Sequence, residues 1–480
     1  MRFAKPNKYS HVTWITQLLI ALSLMLLVSC GREPEPPNPE SAAQTVPTTS
    51  SKSISEESSE IDATLPPPIP KNTIVAPTVT SANTATPTAT LLPTATIEPI
   101  FGPHDYPKGI NPLTGLYVED TTKLERRPLA IKISHYPRSV RPQSGLAAAD
   151  MVWEHYAEGG TTRFTAIFYV GEATRVGSIR SARLIDTTLT EMFSGALVAS
   201  GMSDGTLERL RQKTWYPAVI TNSTSFGCPP ICRDSQSANS VFVDTSAVWQ
   251  TLDDLGLNMA PKIQGLAFQE TIPNGGQNAV RLRVDYSREA HSEWRYNPDD
   301  GKYYRWTEIS EVDLEPHFDY NIKAQITADN LVVLFANHVV DSTVPEDYAA
   351  DGIHAAFATE IQLWGGGPAL ILRNGQAYSV NWVRMDSADM TFLVDADNNS
   401  IALHPGKTWF HTTGLGSETA DQDGVWTITH KSPYDWGKLY YQQNDPILIS
   451  TGETYHATSQ THAYSRTLFF RKARFTYRRT

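Results

Sequence analysis

Cysteine is scarce, with three in 480 residues. That excludes a small disulfide-framed scaffold. Cys228 and Cys232 are separated only by Pro229, Pro230 and Ile231, and no second pair of Cys or His stands nearby at ligand spacing, so a zinc site is not expected. Positive charge is also in short supply: 40 Lys and Arg face 51 Asp and Glu, a formal net charge of −11. Nucleic-acid partners need a basic stripe, and the overall balance argues against one. Familiar catalytic signatures are missing: no Gly-x-Ser-x-Gly elbow, Walker loop, dinucleotide fingerprint or His-Glu-x-x-His occurs. Gly365-Gly366-Gly367 lacks the Lys-Ser or Lys-Thr that a phosphate loop requires. His404, His411, His456 and His462 are scattered in β-rich sequence, so neither a metal nor a cofactor is expected. The large aromatics Trp294, Trp306, Trp364, Trp382 and Trp409 suit a β core better than carbohydrate stacking.

What is present begins with Arg2, Lys5 and Lys8, followed by an apolar run from Leu18 to Val28 and then Leu27-Val28-Ser29-Cys30. This pattern is a signal peptide with a lipobox, covering residues 1–29. The charges hold the first segment on the cytoplasmic side, and small Ser29 gives processing access to the bond before Cys30. Cys30 is then the lipidation site, carrying diacylglycerol and a further acyl chain such as palmitate, because stable anchoring takes more than one chain. An uncleaved transmembrane anchor is the competing reading, and the apolar run is short for it.

Residues 30–105 comprise this cysteine and a linker rich in Pro, Thr and Ser, including Pro66-Pro67-Pro68 and Thr84-Ala85-Thr86-Pro87-Thr88. Such composition has too little apolar surface to offset the entropy of ordering, so a disordered stalk is expected, reaching on the order of 150 to 200 Å when extended. Beyond the stalk, patterning divides the chain into an N-terminal mixed α/β domain over 106–311 and a mostly β domain over 312–480, an α+β protein overall. Arg127 to Ile133, Met151 to Tyr156 and Thr162 to Val170 read as strands, the last two joined by a hairpin at Glu158-Gly159-Gly160. Ser181 to Phe193, Ser203 to Lys213 and Ser246 to Leu255 read as helices. Short strands, among them 322–326, 331–335, 360–364 and 369–373, follow. On the extracytoplasmic side Cys228 and Cys232 are expected to form a local disulfide that shapes a turn. The basic tail, Arg471-Lys472-Ala473-Arg474 and Arg478-Arg479, reads as a solvated edge strand, with binding to an anionic envelope polymer as the alternative.

Unusual polar residues concentrate between Glu154 and Asp186: Glu154, Glu158, Arg163, then Gly177-Ser178-Ile179-Arg180-Ser181-Ala182-Arg183. A loop entering a helix would bring backbone N–H groups near Ser181 and the guanidinium groups of Arg163, Arg180 and Arg183 together, a geometry that suits carboxylate or phosphate. Internal pairing of Glu154 and Glu158 with these arginines is the competing account. The stretches Asn111-Pro112-Leu113-Thr114-Gly115-Leu116, Arg141-Pro142-Gln143-Ser144-Gly145-Leu146, Ala157 to Phe164 and Ile179-Arg180-Ser181-Ala182-Arg183, with Trp382-Val383-Arg384 and Pro405-Gly406-Lys407-Thr408-Trp409, resemble the YerB-like lipoprotein family. The resemblance runs from about 108 to 411 and implies a two-domain lipoprotein without implying an activity. Where many such relatives have Gly-Pro-Val-Arg, this chain has Gly177-Ser178-Ile179-Arg180.

Two functional readings follow. The first is a membrane-tethered extracytoplasmic binding or scaffold module, contacting an envelope protein or an anionic cell-wall polymer through its arginines. The second is an envelope hydrolase or transferase with Glu154 or Glu158 as acid or base. Both share the lipid anchor, which predicts that Cys30→Ala releases the protein from the membrane or leaves an unprocessed precursor. Fractionation with acyl labelling checks this, and an unchanged label and membrane fraction would rule the anchor out.

Overall fold

In the computed structural model of the protein, residues 99–222, 228–434 and 441–442 are described. Cys30, the signal segment, the stalk up to residue 98 and the basic C-terminal tail lie outside them. The principal strands and helices, in chain order, are β1 (Leu129–Ser134), β2 (Met151–Ala157), β3 (Thr161–Phe168), α1 (Leu184–Met192), β4 (Ala196–Ala199), α2 (Asp204–Arg211), β5 (Val219–Thr221) and α3 (Thr245–Asp254). There follow β6 (Gln277–Asn278), β7 (Arg281–Asp285), β8 (His291–Asn297), β9 (Lys302–Glu308), β10 (Leu314–Pro316), β11 (Asn330–Tyr348), β12 (Ala355–Gln362) and β13 (Gly365–Arg373). The last five are β14 (Gln376–Arg384), β15 (Phe392–Val394), β16 (Thr408–Gly414), β17 (Glu418–Gln422) and β18 (Val425–Thr429).

β1 and β2 are buried along their whole length. A strand covered on both faces needs an apolar run, and Leu129-Ala130-Ile131 and Met151-Val152-Trp153 supply it. β2 and β3 form the expected hairpin, turned by Gly159 and Gly160 at φ of 76° and 72°, a region that a residue with a Cβ rarely adopts. The largest sheet has 12 strands and runs β6-β14-β13-β11-β16-β2-β3-β1-β4-β5, with β12 paired to β11 and β15 to β14. Its middle is a meeting of distant sequence: β16 inserts between β2 and β11, parallel to both. Strands from either side of residue 311 therefore share one hydrogen-bonded sheet.

A second, 7-stranded sheet runs β10-β9-β8-β7-β18-β17, with Thr327–Ala328 added to β9. In β7 the alternation of Leu282 and Val284 inward with Arg281, Arg283 and Asp285 half-exposed is the period-two signature of a strand covered on one face. The same alternation separates two cores. Val152 and Trp409 join the cluster that contains Trp294, Leu282 and Val284 of the second sheet. Their neighbours Trp153 and Phe410 point the other way, with rings stacked at 4.2 Å beside Leu189 and Met192 of α1.

Three expectations change. The helix expected from Ser181 starts at Leu184 because the N–H groups of Arg180 and Ala182 are taken by Lys132 and Gly201 carbonyls, which holds 180–182 extended. The strand expected over 322–326 is reduced to Ala324–Gln325, because Lys323 sits at a φ of 51° and Ile322 is exposed. The strand expected over 360–364 ends at Gln362, leaving Trp364 at the surface. Asn374 and Gly375 turn the hairpin between β13 and β14. Cys228 and Cys232 are joined by a disulfide with Cα atoms 4.7 Å apart.

Candidate functional site

Glu154 stands in β2 directly opposite Phe164 of β3 and His411 of β16, and its side chain enters the space between the two sheets. It is 1 % exposed. A buried carboxylate must replace its hydration shell, and this one does so completely. Arg305 of β9 donates to both oxygens through Nη2 at 3.2 and 3.0 Å, Trp409 Nε1 donates at 3.2 Å and the Thr162 hydroxyl at 3.2 Å. Burial pushes the Glu154 carboxyl up, but the Arg305 charge and these donors outweigh it and hold the group below its ordinary value.

The network extends through buried histidines whose protons can be placed by their partners. Trp294 Nε1 can only donate, and it reaches His411 Nε2 at 3.0 Å, so the His411 proton sits on Nδ1, facing Tyr286 Oη at 3.3 Å and Glu154 at 3.7 Å. Arg305 likewise donates to His317 Nδ1 at 2.5 Å, leaving His317 Nε2 to donate to Gln143 at 2.6 Å. His135 bridges the hydroxyls of Thr162 and Thr307, at 2.6 and 3.1 Å, and beside Thr307 Glu308 pairs with Arg141. Burial holds His411 and His338 down to about 4 and His135, His155, His317 and His430 well below the usual imidazole range.

The second cluster lies at the hairpin turn and the approach to α1. Glu158 accepts from Arg183 Nε at 2.5 Å and from the Thr359 N–H at 3.1 Å. Arg183 also meets Glu346 of β11 at 3.1 Å, and Arg163 donates to the Ser181 carbonyl at 2.6 Å. Beneath them Lys132 is fully buried against Asp186 at 2.8 Å, with His155 at 2.6 Å. Burial brings Lys132 down to about 8 despite that carboxylate. Asp186 accepts from the Arg183 N–H at 2.6 Å, so the helix N-terminus that sequence patterning offered to an external anion is occupied by the protein's own carboxylate.

Of the sequence-predicted site residues, the structure brings together Glu158, Arg163, Arg180, Ser181 and Arg183, and sends Glu154 to a separate network with Arg305. Arg163 and Arg183 are committed to internal partners. Arg180 is half-buried and, among the described residues, no carboxylate or side-chain hydrogen bond holds it; its charged neighbour is Arg183. The acid–base role considered for Glu154 requires an open cleft, and the residue is instead sealed in the core. Sequence reading missed Arg305, Trp409 and His411, which lie 151, 255 and 257 positions or so from Glu154 with no local spacing to reveal them. Lys132 did carry a signal: a lysine inside Leu129-Ala130-Ile131-Lys132-Ile133 must find a buried anion. Among the described residues no group of three or more His, Cys, Asp or Glu is arranged to hold a metal.

Fold and site together define a largely β protein of two consecutive segments, closed around a buried glutamate–arginine pair. Residues 113–258 match the N-terminal domain, and residues 282–410 the C-terminal domain, of the DUF3048 proteins of unknown function. The Bacillus subtilis (strain 168) protein YerB, whose description classes it provisionally as a lipoprotein, is 27 % identical over 305 residues, which span 62 % of this chain and 85 % of that protein. The crystal structure of the YerB protein from Bacillus subtilis superposes with a TM-score of 0.51 at 27 % identity, covering 64 % of this chain and 97 % of that one. The chain belongs to the YerB-like family.

Two outcomes are expected from this geometry. Arg305→Met strands Glu154 as an uncompensated buried charge and costs about 3–5 kcal/mol, whereas the Arg305→Met, Glu154→Gln pair costs less than Arg305→Met alone. Chemical denaturation of the four corners of that cycle measures it. The buried histidines set the acid limit. Their unfolded forms take up protons near pH 6.5, whereas folded His411 and His338 do so only near 4 and the others well below the usual imidazole range, so the unfolded state binds more protons in that window. Stability is therefore full above pH 6.5 and falls on acidification, by up to about 1.4 kcal/mol per pH unit for each histidine. Unfolding midpoints between pH 7 and 4 should show a slope larger than one histidine produces.

Proposed function

We propose that this protein is a lipid-tethered extracytoplasmic binding or scaffold module of the cell envelope, with Arg180 and Ser181 as its contact for an anionic group on an envelope protein or cell-wall polymer. The observation that carries this reading is the charge balance around the α1 approach. Lys132, Arg163, Arg180 and Arg183 act on one another there against three carboxylates, Glu158, Asp186 and Glu346. Burial raises the Glu346 carboxyl, which tilts the balance further toward positive charge. Among the described residues Arg180 is the one of these four cations with neither an ion pair nor a side-chain hydrogen bond, and a half-buried guanidinium in that state favours a supplied carboxylate or phosphate.

Hydrolase or transferase chemistry through Glu154 or Glu158 has less support, because both carboxylates are spent on internal ion pairs. The lipid tether rests on the Leu27-Val28-Ser29-Cys30 pattern together with the description of the Bacillus relative.

The test separates contact from framework. Arg180→Gln should leave the melting temperature unchanged and abolish retention of the protein on an anionic cell-wall polymer or its capture of an envelope partner. Glu158→Gln should instead destabilise the fold, by on the order of 3 kcal/mol, because it removes one of the two carboxylates that hold the buried Arg183. Thermal melts and a polymer pull-down run on both variants decide it. Equal loss of stability in the two variants would place Arg180 in the framework and end the reading.

A further inference from the structure

A groove of about 490 Å³ uses none of Arg163, Arg180 or Arg183. It opens between α1, the end of α2, the end of β12 and the loop that follows β14. Its volume falls within the range of small-molecule sites. We infer that this groove is a binding site for a neutral oligosaccharide, with the indole of Trp364 as the stacking platform.

Charge is the first argument. Lys213 is paired with Glu191 at 2.8 Å, Arg209 with Asp341 at 2.8 Å, and Arg384 spends its guanidinium on the carbonyls of Leu363, Ser387 and Asp389. The three lining cations thus stand among three lining carboxylates, Glu191, Glu360 and Asp386, so the groove offers an anionic ligand no net attraction. The carboxylate of Asp386, the Gln212 amide and the hydroxyls of Thr188 and Ser387 line the groove as hydrogen-bonding groups, the last three with no side-chain partner among the described residues. Leu184 and Ile361 add a buried apolar lining. An uncharged ligand with one apolar face and many hydroxyls fits this combination, and a pyranose has both.

The second argument is the contrast among the tryptophans. Trp294, Trp382 and Trp409 are at most 2 % exposed, in the core, whereas Trp364 is 38 % exposed at the groove wall. An indole left at the surface beside unpaired hydrogen-bonding groups offers a flat apolar face at low entropic cost to a ligand that binds there. Its position is also fixed in advance. Arg384 Nη1 donates to the carbonyl of Leu363, the residue before Trp364, at 2.8 Å, and Nε donates to the Asp389 carbonyl at 2.7 Å, so one buried arginine ties the platform to the neighbouring loop that follows β14. Preorganisation of this kind reduces what binding must spend on ordering.

This site is independent of the arginine contact proposed above, and either can fail alone. The experiment titrates the detergent-solubilised full chain by calorimetry with neutral tetrasaccharides built from glucose, mannose and N-acetylglucosamine, in parallel with Trp364→Ala, Trp364→Phe and Gln212→Ala. The expected result is saturable binding of at least one tetrasaccharide, weakened tenfold or more by Trp364→Ala, less by Trp364→Phe, with melting temperatures unchanged. No saturation by any of the three sugars at 10 mM, roughly the weak end of specific recognition, overturns the proposal. So does binding that Trp364→Ala leaves intact. A mixed peptide library captured in a Trp364-dependent manner, with no sugar bound, would overturn the saccharide assignment in favour of a peptide groove.

Discussion

The pairing of Glu154 with Arg305 is the constraint around which the rest of the structure is arranged. Each charge comes from a different sheet, and each is sealed from water. Neither can be tolerated alone, since the desolvation of a single buried ion costs several kcal/mol. Placing them together fixes the approach of the β8–β9 hairpin to the β2–β16 seam. It also dictates the neighbours: Trp409 and Thr162 complete the carboxylate, and His317 takes a proton-donating arm of Arg305. An apolar plug of the same volume would hold the sheets as firmly, but it would not fix one register. The ion pair does, because a slip of one residue would turn Glu154 toward the opposite face of the sheet.

The hairpin that carries Glu154 also carries Glu158 at its turn, so one short segment serves both polar clusters. Glu154 faces inward to the second sheet, while Glu158 reaches Arg183 before α1 and the Thr359 N–H of β12. Through Glu346 the same arginine is bound to β11, which pairs with β16. The extended stretch 180–182 is therefore held from three sides, by backbone bonds to Lys132 and Gly201 and by the Arg163 contact at Ser181. Rigid support of this kind suits a surface that presents Arg180 to a partner. It does not suit a lid or a moving catalytic loop.

The distribution of polar groups also separates framework from surface chemistry. Apart from Arg180, the titratable residues that first draw the eye in the sequence are largely buried and satisfied by internal partners, with imidazoles kept neutral by burial. The groove beside Trp364 has a different character, with cations and carboxylates in equal number and hydroxyl and amide groups without side-chain partners among the described residues. Density of charged residues along a chain is thus a poor guide to which of them reach solvent, because buried ions need partners as much as exposed ones do.

Local sequence determined the elements whose causes are local. The Glu158-Gly159-Gly160 turn needed two residues at positive φ, the cap of α2 needed Ser203, and the Asn374-Gly375 hairpin needed its turn residues; each was legible because neighbours in the chain supply the physical reason. The YerB-like resemblance was legible for the same cause, as short blocks in order. Tertiary structure alone decided the late start of α1, since the bonds that hold 180–182 extended come from Lys132 and Gly201. It alone decided that β16 runs between β2 and β11, and therefore that Glu154 meets His411 and Trp409 rather than the nearby arginines. It also decided that Trp364 stays at the surface: β12 stops at Gln362, two residues short of it, and Arg384, paired with Gly365 between β13 and β14, fastens the Leu363 carbonyl. Pairings that span more than a hundred residues leave no period or spacing in the sequence, because a sheet brings strands together by hydrogen-bond register and not by distance along the chain.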